Sequence, residues 1–188
     1  MKVFVTGAAG FAGQSVVREL LEKKYSVRAL IRQTSAPEEW KSQGVEVVQG
    51  DLTQPESLKG KLDGCGAVIN LAGRLVERGE QTFHRLYFDG TRNLVESALS
   101  AGIKRFVHMS ALGARPAAAS RYHLANYMAE QIITDAPVIQ TIFRPSVIFG
   151  PGSRFCRLLV KIVHNYPVVP VITSHHGCVQ PIYVNETA

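Results

Sequence analysis

Three glycines at every third position, Gly7, Gly10 and Gly13, stand in the run Thr6-Gly7-Ala8-Ala9-Gly10-Phe11-Ala12-Gly13 near the start of the chain. Lacking a Cβ, Gly7 suits a tight turn, Gly10 a close approach of backbone to a phosphate, and Gly13 close packing of a helix on a strand. A helix that begins at such a run offers unpaired N–H groups and the positive end of its dipole to an anion. An apolar strand before the run and a helix after it turn a phosphate cradle into an expected dinucleotide site. Its contacts are then Gly7, Ala9, Gly10, Phe11, Ala12 and Gly13. Arg32 lies 19 positions after Gly13, close to the ~20-residue spacing of the group that meets the adenosine ribose. A guanidinium forks onto a 2′-phosphate where a carboxylate would repel it. NADP(H) is therefore the favoured cofactor and NAD(H) the alternative.

The elements that must position these residues follow from periodicity. Strands are expected over residues 2–6, 27–31, 45–49, 67–71, 104–109 and 138–143, and helices over 11–23, 82–100 and 122–134. Near-continuous apolar strands alternating with amphipathic helices imply an α/β fold, a doubly wound parallel sheet covered on both faces. Gly102 and Pro137 end helices, and Gly150-Pro151-Gly152 marks a turn. Residues 155–164 read as one more helix and 168–172 as a Pro-flanked extended piece. Their apolar side chains, Leu158 and Val163 among them, are expected to pack on their own domain, with a docked partner as the alternative. The ending Gln180-Pro-Ile-Tyr-Val-Asn-Glu-Thr-Ala stops where a helix would start, like a chain interrupted.

The 188 residues suit one domain, and 46% hydrophobic with 19% charged residues is ordinary for a soluble α/β protein. No apolar run approaches the roughly 20 residues that span a bilayer, and the N-terminus has no secretory pattern. Cys65, Cys156 and Cys178 are widely spaced and show no metal pattern. A reducing cytoplasm is expected. The net charge of +6 is scattered, which disfavours nucleic acid and leaves an anionic cofactor, partner or membrane face.

Further motifs carry a resemblance. Gly50-Asp51-Leu52, Asn70-Leu71-Ala72-Gly73, Gly90-Thr91-Arg92-Asn93-Leu94-Val95 and Phe143-Arg144-Pro145-Ser146-Val147 resemble the extended short-chain dehydrogenase/reductase (NAD-dependent epimerase/dehydratase) family, essentially over the full length. The resemblance implies a Rossmann fold, with Asp51 and Leu52 beside the adenine, Leu71, Ala72 and Gly73 lining the cofactor, and Pro145 and Val147 at its nicotinamide end. Within the family, Asn70-Leu-Ala-Gly-Arg, Phe106-Val-His-Met-Ser-Ala-Leu-Gly-Ala and Thr141-Ile-Phe-Arg-Pro-Ser-Val-Ile-Phe-Gly-Pro-Gly are similar to an atypical branch. That branch holds the dehydrogenase-like accessory subunit of respiratory complex I and its bacterial relatives. It implies NADPH held without turnover, and a protein partner or a place at the periphery of an inner-membrane complex. It also implies that 1–188 is one NAD(P)-binding domain, in which 151–188 begins an incomplete substrate region, the substrate lobe being absent or truncated.

Active members of the family pair a tyrosine with a lysine four residues later, one helical turn away. The ammonium lowers the phenol's pKa and holds the nicotinamide ribose, and a serine after the fifth strand orients the carbonyl. Tyr122 matches the tyrosine and Ser110 the serine, but Asn126 stands at the lysine position. Tyr87 stands where the family carries a supporting asparagine. A phenol with pKa near ~10 needs a nearby cation to act as a base at neutral pH. His123 points about 100° away around the helix, and His108 is expected to face the sheet or a flanking helix. Three readings remain: a cofactor-holding protein with little or no turnover, an NADP-dependent reductase or nucleotide-sugar epimerase/dehydratase with a modified site, and a redox-linked scaffold.

Overall fold

The computed structural model describes residues 1–32, 36–168 and 179–188. Its centre is a six-stranded parallel sheet in the order β3-β2-β1-β4-β5-β6. The strands are β1 (Lys2–Thr6), β2 (Ser26–Ile31), β3 (Glu46–Gln49), β4 (Ala67–Asn70), β5 (Arg105–Met109) and β6 (Ile139–Phe143). Within β1 alternate residues serve opposite layers, because successive strand side chains point to opposite faces. Val3 and Val5 pack with Val17 of helix α1 (Phe11–Glu22), Val27, Ala29 and Trp40 of the short helix α2 (Glu39–Ser42). Phe4 packs with Val68, Phe106, Leu94 of α3 (Gly90–Ser100) and Ile133 of α4 (Arg121–Asp135). Burial on both faces explains why the strands read as apolar runs. The doubly wound sheet expected from the sequence is present.

The chain order reverses between β1 and β4, where Thr6 pairs with Asn70. At such a switch point the crossovers leave on opposite faces, opening a crevice at the carboxyl ends of the strands. The Thr6 hydroxyl donates to Asn70 Oδ1 at 2.6 Å inside the sheet, tying the two strand ends.

Four local features differ from the sequence reading. Trp40, 3% exposed, anchors a helix that no periodicity announced. The helix expected over 82–100 is a π-helical segment, His84–Asp89, running into α3. A Cβ on Gly90 would stand 3.1 Å from Leu52 Cβ, so the helix approaches the β3–β4 connection closely just where its turn is widened. Residues 155–164 form helix α5 (Arg154–Asn165), yet no α5 residue is buried, so the expected packing on its own domain is not what the described residues show. The 168–172 strand lies almost wholly outside the described residues. Finally, the C-terminal segment returns. A small parallel pair joins β7 (Ile148–Phe149) to β8 (Ile182–Tyr183), and a 3-10 turn over Val184–Thr187 sits on α1. Val184 is buried there, and Asn185 Oδ1 accepts from Arg18 at 2.8 Å and Ser15 at 3.3 Å.

Candidate functional site

The cradle is built from backbone. Gly7 has φ +66°, and a Cβ there would lie 2.4 Å from the Leu71 carbonyl oxygen and 2.7 Å from the Ala72 nitrogen. Gly7 is thus pressed against the end of β4. A Cβ on Gly13 would fall 2.1 Å from the Gly7 carbonyl oxygen, and one on Gly10 2.9 Å from it. Gly10 caps α1 with no side-chain hydrogen bond, so the first-turn N–H groups of Phe11, Ala12 and Gly13 face the crevice unclaimed by a capping side chain. Ala9 and Phe11 flank it, half-buried.

Beside the cradle, the ends of β2, β3 and β4 frame a cleft of about 350 Å³. Arg32 reaches it from β2, Asp51 from the end of β3, and Arg74, Arg78, Glu80 and Arg85 from the segment after β4. Asp51 Oδ1 accepts from the Thr53 N–H and hydroxyl, both at 2.8 Å, which fixes its carboxylate. Leu52 puts its side chain into the core while its carbonyl accepts from Asn93 Nδ2 at 2.8 Å. What it can offer a ligand is therefore backbone. Arg85 pairs with Glu80 at 3.1 Å, and the Arg74 guanidinium rests on Gln81. Arg32 and Arg78 have no carboxylate partner among the described residues. The cleft is cationic, and Arg74, Arg78 and Arg85 were not anticipated: Arg74 and Arg78 lie in an irregular segment with no periodicity to aim them, and Arg85 lies in the π-helical segment that leads into α3.

The opposite half of the crevice is aromatic. Tyr122 and Tyr87 meet edge-to-face at 5.6 Å, and Phe83 closes the cluster at 5.6 Å from Tyr122. The Tyr87 hydroxyl donates to the Arg74 carbonyl at 2.8 Å and accepts from the Arg74 N–H at 2.9 Å. A Cβ on Gly73 would stand 2.9 Å from that hydroxyl, so Gly73 is the glycine that lets Tyr87 clamp the loop after β4. Burial pushes the Tyr122 phenol above its ordinary value, and hydrogen bonding toward Tyr87 and Asn126 only partly offsets this. Tyr87 is shifted upward by the same cause. Asn126 is 1% exposed, and its Nδ2 donates to the Tyr122 carbonyl at 2.8 Å. Its Oδ1 is buried with no partner. Among the described residues no cation lowers the phenol.

Ser110 is engaged elsewhere. Its hydroxyl donates to Glu130, a carboxylate 2% exposed that also takes both arms of Arg144. The structure thus brings Tyr122 and Asn126 together one turn apart, while Ser110 is bonded to a carboxylate two turns further along α4. Glu130 was missed, although the spacing 122, 126, 130 would have placed it on that face. The Arg144 link leads into the next segment, where the Pro145 carbonyl accepts from Leu112 at 2.9 Å and the Val147 carbonyl from Ile182 at 3.0 Å. His108, 1% exposed, faces Asn70 at 3.2 Å. Burial lowers its pKa to about 4, so it is neutral. His123 lies edge-on to Tyr122 at 5.2 Å.

The model of the NAD(P)H-binding family matches residues 7–151, from the first cradle glycine to the turn after β7. The chain belongs to this family. Among curated relatives, a ceramide reductase of Caulobacter vibrioides is 34% identical over 186 residues, covering 99% of this chain and 58% of the relative. Subunit 9 of the NADH dehydrogenase [ubiquinone] 1 alpha subcomplex of Arabidopsis thaliana is 30% identical over 194 residues, covering 98% of this chain and 47% of that protein. The chain thus spans about half the length of these relatives. The solved structure of MoeE5 with UDP-glucuronic acid and NAD superposes with a TM-score of 0.82 at 24% identity, covering all of this chain and 69% of that one, a likeness of fold. The chain is thus an NAD(P)H-binding domain, and the proteins it is similar to include reductases and epimerase/dehydratase-type short-chain dehydrogenase/reductases.

The residues present fit a dinucleotide. The glycine cradle tolerates no Cβ, the α1 terminus lacks a side-chain cap, and the unpartnered Asn126 Oδ1 is an acceptor at the opposite end of the crevice.

Proposed function

We propose that this domain binds NADP(H) in preference to NAD(H), holding it without the tyrosine–lysine proton relay, so that turnover is weak or absent. The observation that carries the reading is Asn126 in place of a lysine beside a phenol that burial has shifted upward. The first-turn N–H groups of α1 would receive the pyrophosphate, with Gly7, Ala9, Gly10, Phe11, Ala12 and Gly13 around it. Asp51 and the Leu52 backbone would meet the adenosine, and Arg32 with Arg78 the 2′-phosphate. Leu71, Ala72 and Gly73 would line the middle, Pro145 and Val147 the nicotinamide end, and Asn126 Oδ1 would accept from a ribose hydroxyl. Bound cofactor supplies the capacity for hydride transfer. What this chain withholds is a charged group to move the accompanying proton. A complex I-like protein partner, supported by the plant relative, belongs to the same reading, as does a place at the membrane periphery of the cytoplasm. Residues 1–188 form one cofactor domain in it, with 151–188 opening a substrate region.

Titration with NADPH and NADH, followed by nicotinamide fluorescence, tests it. NADPH is expected to bind at least about tenfold tighter, since a forked charge contact is worth about 1.5–3 kcal/mol. Equal affinities would remove the role given to Arg32, and no binding would remove the reading. A second reading, a reductase with a modified site, is favoured by the ceramide reductase relative and the retained Tyr122. NADPH oxidation driven by a long-chain carbonyl compound would put it first.

A further inference from the structure

Every residue lining the cleft at the ends of β2, β3 and β4 lies between Arg32 and Leu86, well inside the family match over residues 7–151. Its charges do not cancel. Four guanidiniums, those of Arg32, Arg74, Arg78 and Arg85, face two carboxylates, Asp51 and Glu80. The excess is two positive charges. A phosphate monoester carries about −1.5 to −2 at pH 7, so the excess matches one such group rather than a bare ribose.

The four arginines are not equivalent. Arg74 is committed to the turn beside it, where its terminal nitrogens donate to the Gln81 carbonyl at 2.9 Å and to the Gln81 side-chain oxygen. That turn is tight: the Arg78 N–H donates to the Gln81 carbonyl at 3.3 Å, and the Gln81 N–H to the Arg78 carbonyl at 3.0 Å. Arg78 therefore combines a fixed backbone with a charge that no carboxylate takes up among the described residues. Arg85, from the π-helical segment, is taken by Glu80 at 3.1 Å, yet the Glu80 side chain is 91% exposed and that of Arg85 45%. An exposed pair of this kind contributes little. A doubly charged phosphate offers three acceptor oxygens to a forked, charge-assisted contact, which is the stronger one.

Resting on the reading of this cleft as the adenosine end of a dinucleotide site, we propose that Arg85 is a further specificity-determining residue. It leaves Glu80 and joins Arg32 and Arg78 around the ribose 2′-phosphate. Glu80, at the tip of the turn, holds Arg85 until the phosphate arrives and thereby sets how strongly NADPH is preferred.

Affinities for NADPH and NADH, measured by nicotinamide fluorescence on the full chain and its variants, test this role. The ratio of NADPH to NADH affinity should fall about tenfold in Arg78→Ala. It should fall about fivefold in Arg85→Ala, where the lost contact had first to displace Glu80. Glu80→Gln should raise the ratio about two- to fivefold, because Arg85 is released in advance. In Glu80→Gln/Arg85→Ala that rise should vanish, which ties it to Arg85 rather than to a lost repulsion. A wild-type preference for NADPH left unchanged by both Arg85→Ala and Glu80→Gln would overturn the role of Arg85 and leave the cofactor reading standing on Arg32. A rise that persists in the double variant would overturn it as well. Equal wild-type affinities, or binding of neither nucleotide, would overturn the cofactor reading and the role of Arg85 with it.

Discussion

The two halves of the crevice are made of different material. At the α1 end the site is backbone: three glycines, helix N–H groups and the end of β4, held within van der Waals distance of one another. At the α4 end it is side chains: Tyr122, Tyr87, Asn126 and Phe83, packed edge-to-face with one orphaned amide oxygen. Backbone chemistry cannot be replaced without losing the fold, whereas a side-chain site can lose its lysine and keep its shape. On the proposed reading, that difference would let one chain carry a cofactor cradle beside a tyrosine without its lysine.

Breaking the backbone half should have the largest effect. Gly7→Ala places a Cβ 2.4 Å from the Leu71 carbonyl oxygen at φ +66°, where strain alone costs about 1–3 kcal/mol. NADPH affinity should fall by at least about 100-fold, with a lower thermal midpoint. Wild-type affinity in this variant would mean that the glycines serve packing only.

Asn126→Lys sharpens the other half. An ammonium beside Tyr122 stabilises the phenolate, so activity toward a carbonyl substrate should rise by about tenfold or more. The tyrosine's titration, followed by ultraviolet absorbance, should move downward. A variant that folds, binds NADPH and shows neither change would place the defect elsewhere than at the missing charge.

The smallest effect falls on the buried links beneath both halves. His108 has a folded pKa of about 4 against an ordinary 6.5, so its neutral form is the one the fold accepts. Its contribution is complete above pH 6.5 and is lost as pH falls toward 4. The thermal midpoint of the wild type should decline across that window, and His108→Gln should flatten the decline. An unchanged pH profile in the variant would assign the acid sensitivity to other groups.

Much of this was legible in the residues. The parallel sheet followed from apolar runs separated by amphipathic stretches, and the cradle from glycine spacing at a strand–helix junction, because both depend on local chain geometry. Asn126 beside Tyr122 was equally plain, since one helical turn is a local distance. Ser110 was assigned by motif to the reaction centre, but its hydroxyl is bonded to Glu130, 20 residues away. The cationic cleft was legible only at Arg32. Arg74 and Arg78 reach it through a loop that Tyr87 clamps, and Arg85 from the π-helical segment.

By itself, then, the sequence determined where most strands and helices lie and which glycines cannot carry a side chain, consequences of steric and periodic rules acting over a few residues, while the resemblance to the family marked Asn126 as standing at a lysine position. Tertiary structure decided the partners: Tyr87 on Gly73, Ser110 on Glu130 and Asn185 on α1. Those pairings depend on where distant elements pack, and packing is settled by the burial of the whole chain rather than by any stretch of it.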